Sequence, residues 1–212
     1  MENIDIERFM EYAWKHSSAL PCILDDIERS THLHTLKPRM LSGKSQGALL
    51  RLLVALLQCE LIVEVGTFTG YATVCMAEGL PPNGRIHTIE YNPEHAALAK
   101  KHFTTYEHAH KIHLHTGAGL DIIPDLPDSI DLAFIDADKD NNESYYEILL
   151  PKLKVGGVIL IDNVFWSGKV LEPQKDAKTQ KIHHFNEKLA IDPRIQTVLL
   201  PLRDGLHIIR KK

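Results

Sequence analysis

The residues best placed to do chemistry are acidic and fall in two short blocks, I-D-A-D-K-D-N-N at residues 135–142 and I-D-N at residues 161–163. Each block ends an apolar run, residues 130–135 and 158–161, of the kind that forms a buried strand. Those two runs count as the fourth and fifth strands of the chain. In sheets of alternating strands and helices, these two are usually neighbours. Asp136, Asp162 and Asn163 would then converge as three oxygen ligands at one edge of a crevice. An all-oxygen set suits a hard divalent cation, Mg²⁺ or Ca²⁺. The plain alternative is a set of acidic helix caps with no metal. No Cys/His cluster has zinc spacing. Asp136, Asp138, Asp140 and Glu147 also match four positions of an EF-hand loop, but Asn141 stands where that loop needs glycine, and L-A-F-I before it is strand-like.

Lys139 lies three residues after Asp136. A nearby cation would disfavour its ammonium form, and a lysine tuned in that way can serve as a general base. Spacing alone favours an ordinary solvated lysine. Two further features suggest a nucleotide-like ligand. The run at residues 61–65 ends in E-V-G-T-F-T-G-Y, residues 64–71, where Gly66 permits a tight turn and Gly70 opens a helix. The second strand ends at Glu90, 24 residues after Gly66, near the spacing at which an acidic side chain meets ribose hydroxyls. A plain tight turn and an exposed acid near a helix start are the respective alternatives. Neither feature separates NAD from other nucleotide-derived cofactors.

The elements that must position these groups can be read from periodicity. Helices are expected over residues 4–17, 22–31, 46–57, 93–106, 144–153 and 182–190, with one more after Gly70. Strands are expected over residues 61–65, 85–89, 111–115, 130–135, 158–161, 195–200 and 206–210. Arg203-Asp204-Gly205 signals a hairpin between the last two. Alternation over about 150 residues means a doubly wound, mostly parallel sheet, with one antiparallel strand from the terminal hairpin. Ligands bind beyond the carboxyl ends of such strands, which is where the acidic blocks and the glycine turn lie. A single domain is expected over 1–212, with a helical extension at 1–45 and the α/β core at 46–212.

Composition narrows the class. Net charge is −4, hydrophobic content 44% and charged content 25%, all ordinary for a globular chain and giving no general nucleic-acid footprint. Lys37, Arg39 and Lys44 could make a local basic patch. Cys22, Cys59 and Cys75 read as reduced thiols in a cytoplasmic protein, the last two buried. The first ten residues show no signal-peptide pattern, and the apolar stretch at residues 49–57 is too short to span a membrane. The thirteen histidines are scattered and expected mostly at the surface.

Taken together these blocks resemble the cation-dependent O-methyltransferases of the caffeoyl-CoA and catechol type. The resemblance covers residues 40–210 and rests on E-V-G-T-F-T-G-Y, I-E-Y-N-P-E, F-I-D-A-D-K-D-N, V-G-G-V-I-L-I-D-N-V-F-W-S-G-K-V, D-P-R-I and L-R-D-G-L. It implies a Rossmann-like class I methyltransferase fold with a seven-stranded sheet and helices on both faces. It implies S-adenosylmethionine as cofactor, with Glu64 and Gly66 at its methionine end, Glu90 on the ribose, and Ser42, Thr67, Ala72, Gly119 and Asp136 in further contacts. It implies Mg²⁺ on Asp136, Asp162 and Asn163, with Ca²⁺ or Mn²⁺ as substitutes, and Lys139 as catalytic base. Lys139, Trp166 and His207 would face a small aromatic acceptor with vicinal hydroxyls, and the family implies a homodimer. Two departures matter. Ala72 stands where the family often has a serine, which Thr73 would replace. His207 stands where the animal catechol enzymes anchor substrate with glutamate, and packing in the last strand is its plain alternative. The rivals are methylation of a hydroxylated tRNA base and, in another class, an NAD-dependent oxidoreductase.

Overall fold

The computed structural model describes residues 6–212. The chain forms β1 (Leu61–Val65), β2 (Arg85–Glu90), β3 (Ile112–Thr116), β4 (Ile130–Ile135), β5 (Leu153–Asp162), β6 (Ile195–Leu200) and β7 (Leu206–Lys211). Its helices are α1 (Ile6–Lys15), α2 (Ile23–His34), α3 (Gly43–Leu56), α4 (Tyr71–Gly79), α5 (Pro93–Thr104), α6 (Gly119–Ile122), α7 (Asn142–Lys152) and α8 (Ala177–Ile191). The strands make one seven-stranded sheet in the order β3-β2-β1-β4-β5-β7-β6. β1 to β5 pair in parallel, and β7 runs antiparallel to both β5 and β6. The expected sheet, with its one antiparallel strand, is therefore present.

The chain winds outward from β1 to β3, then returns to the other side of β1 as β4. The crevice of such a sheet opens where the winding reverses, between the carboxyl ends of β1 and β4. Apart from Glu64 in β1 and Asp131 in β4, both central strands are apolar on both faces because helices cover both. Ile62, Leu132 and Phe134 point into a core shared with α2, α3 and α4. Val63, Val65, Ala133 and Ile135 point into a second core with α7 and α8. Each fully buried aliphatic side chain contributes roughly 1.5–3 kcal/mol, so two continuous layers hold the strand ends firmly in register.

β1, β4 and β6 match their expected bounds. Four others, α3, α7, α8 and β5, begin earlier than expected. α3 starts at Gly43, so the division expected at 45/46 falls inside a helix. α8 starts at Ala177, because Asp176 caps it by accepting from the Thr179 N–H at 2.7 Å. β5 starts at Leu153 and carries Gly156 and Gly157 in its interior, where its register with β4 shifts between Ile130 and Leu132. A glycine pair that looks like a strand boundary is here a bulge. The first two residues of the helix expected at 4–17 lie outside the described residues. No helix among the described residues is long and apolar enough to cross a membrane.

The histidines depart from expectation. His87, His113 and His115 share one face of β2 and β3, with ring centroids 5.0 and 5.2 Å from His87. His87 Nδ1 lies 3.0 Å from His115 Nε2. Burial, then the two neighbouring imidazoles, pushes His87 down to about 4. In an unfolded chain the same ring titrates near 6.5. Between these values the unfolded state binds more protons, so stability rises with pH there and is lost on acidification. In thermal melts from pH 7.5 to 4, His87 should lower the Tm progressively below 6.5, while the buried Glu64 carboxyl, raised to about 7, works in the opposite sense. His87→Gln should hold its Tm better than wild type between pH 6.5 and 4, and His102, His115 and His207, which burial also lowers, still contribute to any fall.

Candidate active site

The turn after β1 is built around two glycines. Gly66 has φ +107°, and a Cβ there would lie 2.2 Å from the Asp136 carbonyl oxygen. The glycine is needed because β4 passes so close. The Asp136 N–H then donates to the Val65 carbonyl at 2.8 Å. Gly70 has φ +93° and precedes α4, with the Phe103 ring 2.5 Å from where its Cβ would be. Gly66 and Thr67 both donate their N–H groups to the Ile89 carbonyl, which ties the turn to β2.

Glu64 lies in β1 and is fully buried. Its Oε2 accepts from the hydroxyls of Thr73 and Thr88. Its Oε1 is buried with no partner. Burial pushes the carboxyl up to about 7 against the pull of the two hydroxyls, and the charges of Asp136 and Glu90 add to the rise. A buried carboxylate oxygen lacking a donor is costly, so Oε1 fits the cationic end of a ligand. Glu90 closes β2. Its Oε2 accepts from the Phe68 N–H at 2.7 Å and its Oε1 from the Asn92 N–H at 2.9 Å. It is not the helix cap. Asn92 is, accepting from the N–H groups of Glu94 and His95.

Several expected cofactor residues also serve the frame. The Thr67 hydroxyl is buried against that of Thr88. Ala72 packs in the first core, and Thr73, which was to replace the missing serine, spends its hydroxyl on Glu64. Gly119 begins α6 with no room for a Cβ, 2.9 Å from both Tyr145 and Val65. Ser42 precedes α3 without a side-chain cap bond, and its carbonyl accepts from Arg203.

The acidic edge is formed by the two neighbouring strands. The β4–β5 register pairs Ile135 with Ile161, so Asp136 and Asp162 leave the sheet side by side. Lys139 Nζ donates to Asp136 Oδ1 at 3.0 Å, and Lys139 is only 8% exposed, not a solvated surface residue. Burial raises the Asp136 pKa; Lys139 opposes this and the charge of Asp162 adds to it. Asp162 accepts at Oδ1 from the Asn163 N–H and at Oδ2 from Gln46 Nε2, both at 2.8 Å. Asn163 has φ +59°, so the chain turns sharply just past the strand. Among the described residues no three His, Cys, Asp or Glu side chains converge, so the expected trio depends on the Asn163 amide. The EF-hand positions are scattered: Asp138 accepts from Tyr145, Asp140 pairs with Lys178, and Glu147 pairs with Arg194.

Trp166 also has a positive φ, +51°, and Lys178 Nζ lies 4.9 Å from its ring centroid. The hairpin between β6 and β7 braces this loop. Asp204 accepts from Phe165 N–H through its carbonyl and from Ser167 N–H through Oδ1. His207 sits opposite Ile161 in β7 and is 3% exposed, with Nδ1 unpartnered. Burial pushes it down to about 4, so it is neutral at pH 7, which fits the packing alternative. A groove of about 520 Å³ between α5 and β3 contains none of the expected site residues. Of the expected basic patch, Lys44 is engaged by Asp25 at 3.6 Å and lies over Trp14. Sequence reading missed Gln46, Thr88, Arg203 and Asp204. The one available signal was Gln46, a polar residue within an apolar helical stripe.

Known proteins resemble this chain in sequence and in overall fold. A profile described as "O-methyltransferase" matches residues 14–212. A catechol O-methyltransferase from Niastella koreensis is 36% identical over 170 residues, which is 78% of this chain and 77% of that protein. A caffeoyl-CoA O-methyltransferase from Mesembryanthemum crystallinum is 33% identical over 186 residues, 81% of this chain and 73% of that protein. The crystal structure of the O-methyltransferase TomG from Streptomyces achromogenes, involved in tomaymycin synthesis and in complex with SAM, superposes with a TM-score of 0.91 at 29% identity, covering 99% of this chain and 100% of that one.

The Gly66 contact makes a direct prediction. Gly66→Ala places a methyl on the Asp136 backbone at a φ that side chains avoid. It should lower the Tm markedly and abolish cofactor binding by calorimetry. A variant with wild-type Tm and affinity would show that the turn relaxes freely.

Proposed function

The chain belongs to the O-methyltransferase family and is an S-adenosylmethionine-dependent methyltransferase; from that premise we propose that it methylates one hydroxyl of a small vicinal-dihydroxy aromatic, held by a divalent cation. The observation that carries this reading is the meeting of Asp136 and Lys139 at the end of β4 with Asp162 and Asn163 at the end of β5. Family membership removes the NAD-dependent oxidoreductase from consideration. Net charge of −4 and the engagement of Lys44 favour a small acceptor over tRNA. The catechol and caffeoyl-CoA relatives support the acceptor class.

The residues present fit both groups. Unpartnered Oε1 of Glu64 suits the ammonium of the methionine moiety, and Glu90 retains lone pairs for ribose hydroxyls. Asp136, Asp162 and Asn163 offer hard oxygen donors, as Mg²⁺ prefers. When bound, the sulfonium supplies the methyl group and the cation supplies positive charge that acidifies a chelated hydroxyl. Lys139 takes up the hydroxyl proton at Nζ from its buried place beside Asp136. Trp166 walls the acceptor, and the strand ends hold both partners in line. Such positioning is worth roughly 7–11 kcal/mol in favourable cases. Vicinal oxygens are needed because one reacts while the other is anchored.

A methyl-transfer screen over catechols, caffeoyl esters and flavonoids tests the reading. Turnover should require vicinal hydroxyls and Mg²⁺ and vanish in EDTA. Full activity in chelator sinks the cation site. Asp136→Ala and Asp162→Ala should be inactive. Lys139→Ala should lose about 10²–10⁴-fold in kcat while S-adenosylhomocysteine affinity stays nearly unchanged; a wild-type kcat would remove Lys139 from the role of base.

A further inference from the structure

We propose that Arg203 and Gln46 form a positioning relay that fixes the Asp162 carboxylate as a metal ligand, an inference that rests on the cation site proposed above. Arg203 stands in the turn between β6 and β7 with φ +52°, a conformation that residues other than glycine avoid. Its side chain reaches back to the other end of the chain. The guanidinium donates to the carbonyls of Leu41 and Ser42 and, at 2.8 Å, to Gln46 Oε1. Arginine can only donate, so the Gln46 oxygen must face it. That settles the amide orientation. The Gln46 NH₂ is turned to Asp162 Oδ2, 2.8 Å away.

Gln46 and Asp162 are each 1% exposed, so the bond between them is shielded from water. With the Asn163 N–H on Oδ1, each carboxylate oxygen of Asp162 carries one donor and keeps one lone pair. The plane of the carboxylate is thereby set. The donor type matters as well as the position. A lysine at residue 46 would orient Asp162 but cancel the charge that draws a cation. The glutamine amide orients it and leaves that charge intact. Arg203 itself stays one residue further back. Such supporting partners typically govern metal affinity by about 10–100-fold.

The test measures Mn²⁺ affinity by electron paramagnetic resonance with S-adenosylhomocysteine present. The proteins are wild type, Gln46→Met, Arg203→Met, the double variant and Asp162→Ala. Each single Met variant should bind Mn²⁺ about 10–100-fold more weakly, with S-adenosylhomocysteine affinity by calorimetry close to wild type. The double variant should be no weaker than the weaker single, because both act through one path. Gln46→Leu, which also removes the amide donor without adding charge, should weaken Mn²⁺ binding likewise, and it replaces Gln46→Met if that variant melts early. Wild-type Mn²⁺ affinity in the Gln46 variants, with Asp162→Ala unable to bind, overturns the relay but keeps the cation site. Additive losses in the double variant also overturn it. No Mn²⁺ binding by wild type overturns the cation site and the relay together.

Discussion

The approach of the β1 and β4 backbones at their carboxyl ends sets the distances on which the site depends. With no side chain on Gly66, the Asp136 carbonyl comes within 2.2 Å of where a Cβ would stand, and the Asp136 N–H closes onto Val65. Glu64 on one strand and Asp136 on the next are thereby close enough for the charge of Asp136 to raise the carboxyl of Glu64. The cofactor end and the proposed cation end of the crevice are thus one electrostatic unit. A ligand that brings positive charge to either relieves both, so occupancy of one is expected to favour the other.

The crevice concentrates Glu64, Glu90, Asp136 and Asp162, and its internal donors are mostly neutral. Thr73 and Thr88 serve Glu64, backbone N–H groups serve Glu90, and Gln46 with the Asn163 N–H serves Asp162. Neutral donors fix geometry without cancelling charge. Among the described residues, only Asp136 of these four pairs with a lysine or arginine, Lys139, and there the pair is part of the proposed chemistry; Glu90 has His95 at 3.8 Å. The arrangement keeps a negative field for a sulfonium, an ammonium or a metal ion, at the cost of raised pKa values at Glu64 and Asp136.

Much of this was legible in the sequence because the acidic residues stand immediately after apolar strands, where strand and function share one signal. β1 and β4 were readable to the residue for the same reason. β5 and α8 were not. Glycines 156 and 157 lie within a strand, and the first turn of α8 is polar, so periodicity appears only later. The supporting residues were hidden for a different reason. Gln46 meets Asp162 across 116 positions and Arg203 meets Gln46 across 157, and although Gln46 stands out in its helical stripe, nothing local names its partners. His207 shows the converse limit, since a polar type on a strand did not reveal that the fold buries it.

The chain ends complete the division of labour. The sheet supplies charge at fixed places, but its loops need bracing from outside. Thr31 of α2 meets the Thr69 hydroxyl at 2.8 Å, and His102 of α5 lies 2.9 Å from the Thr69 carbonyl, so the glycine turn is held from two sides. Asp204 holds the Trp166 loop, and Arg203 binds the segment leading into α3. A change in the hairpin or in the first helices that spares Arg203 and Gln46 therefore moves the walls of the crevice without moving its charges. The proposed chemistry can stay constant while acceptor shape varies, because the two properties are carried by different parts of the chain.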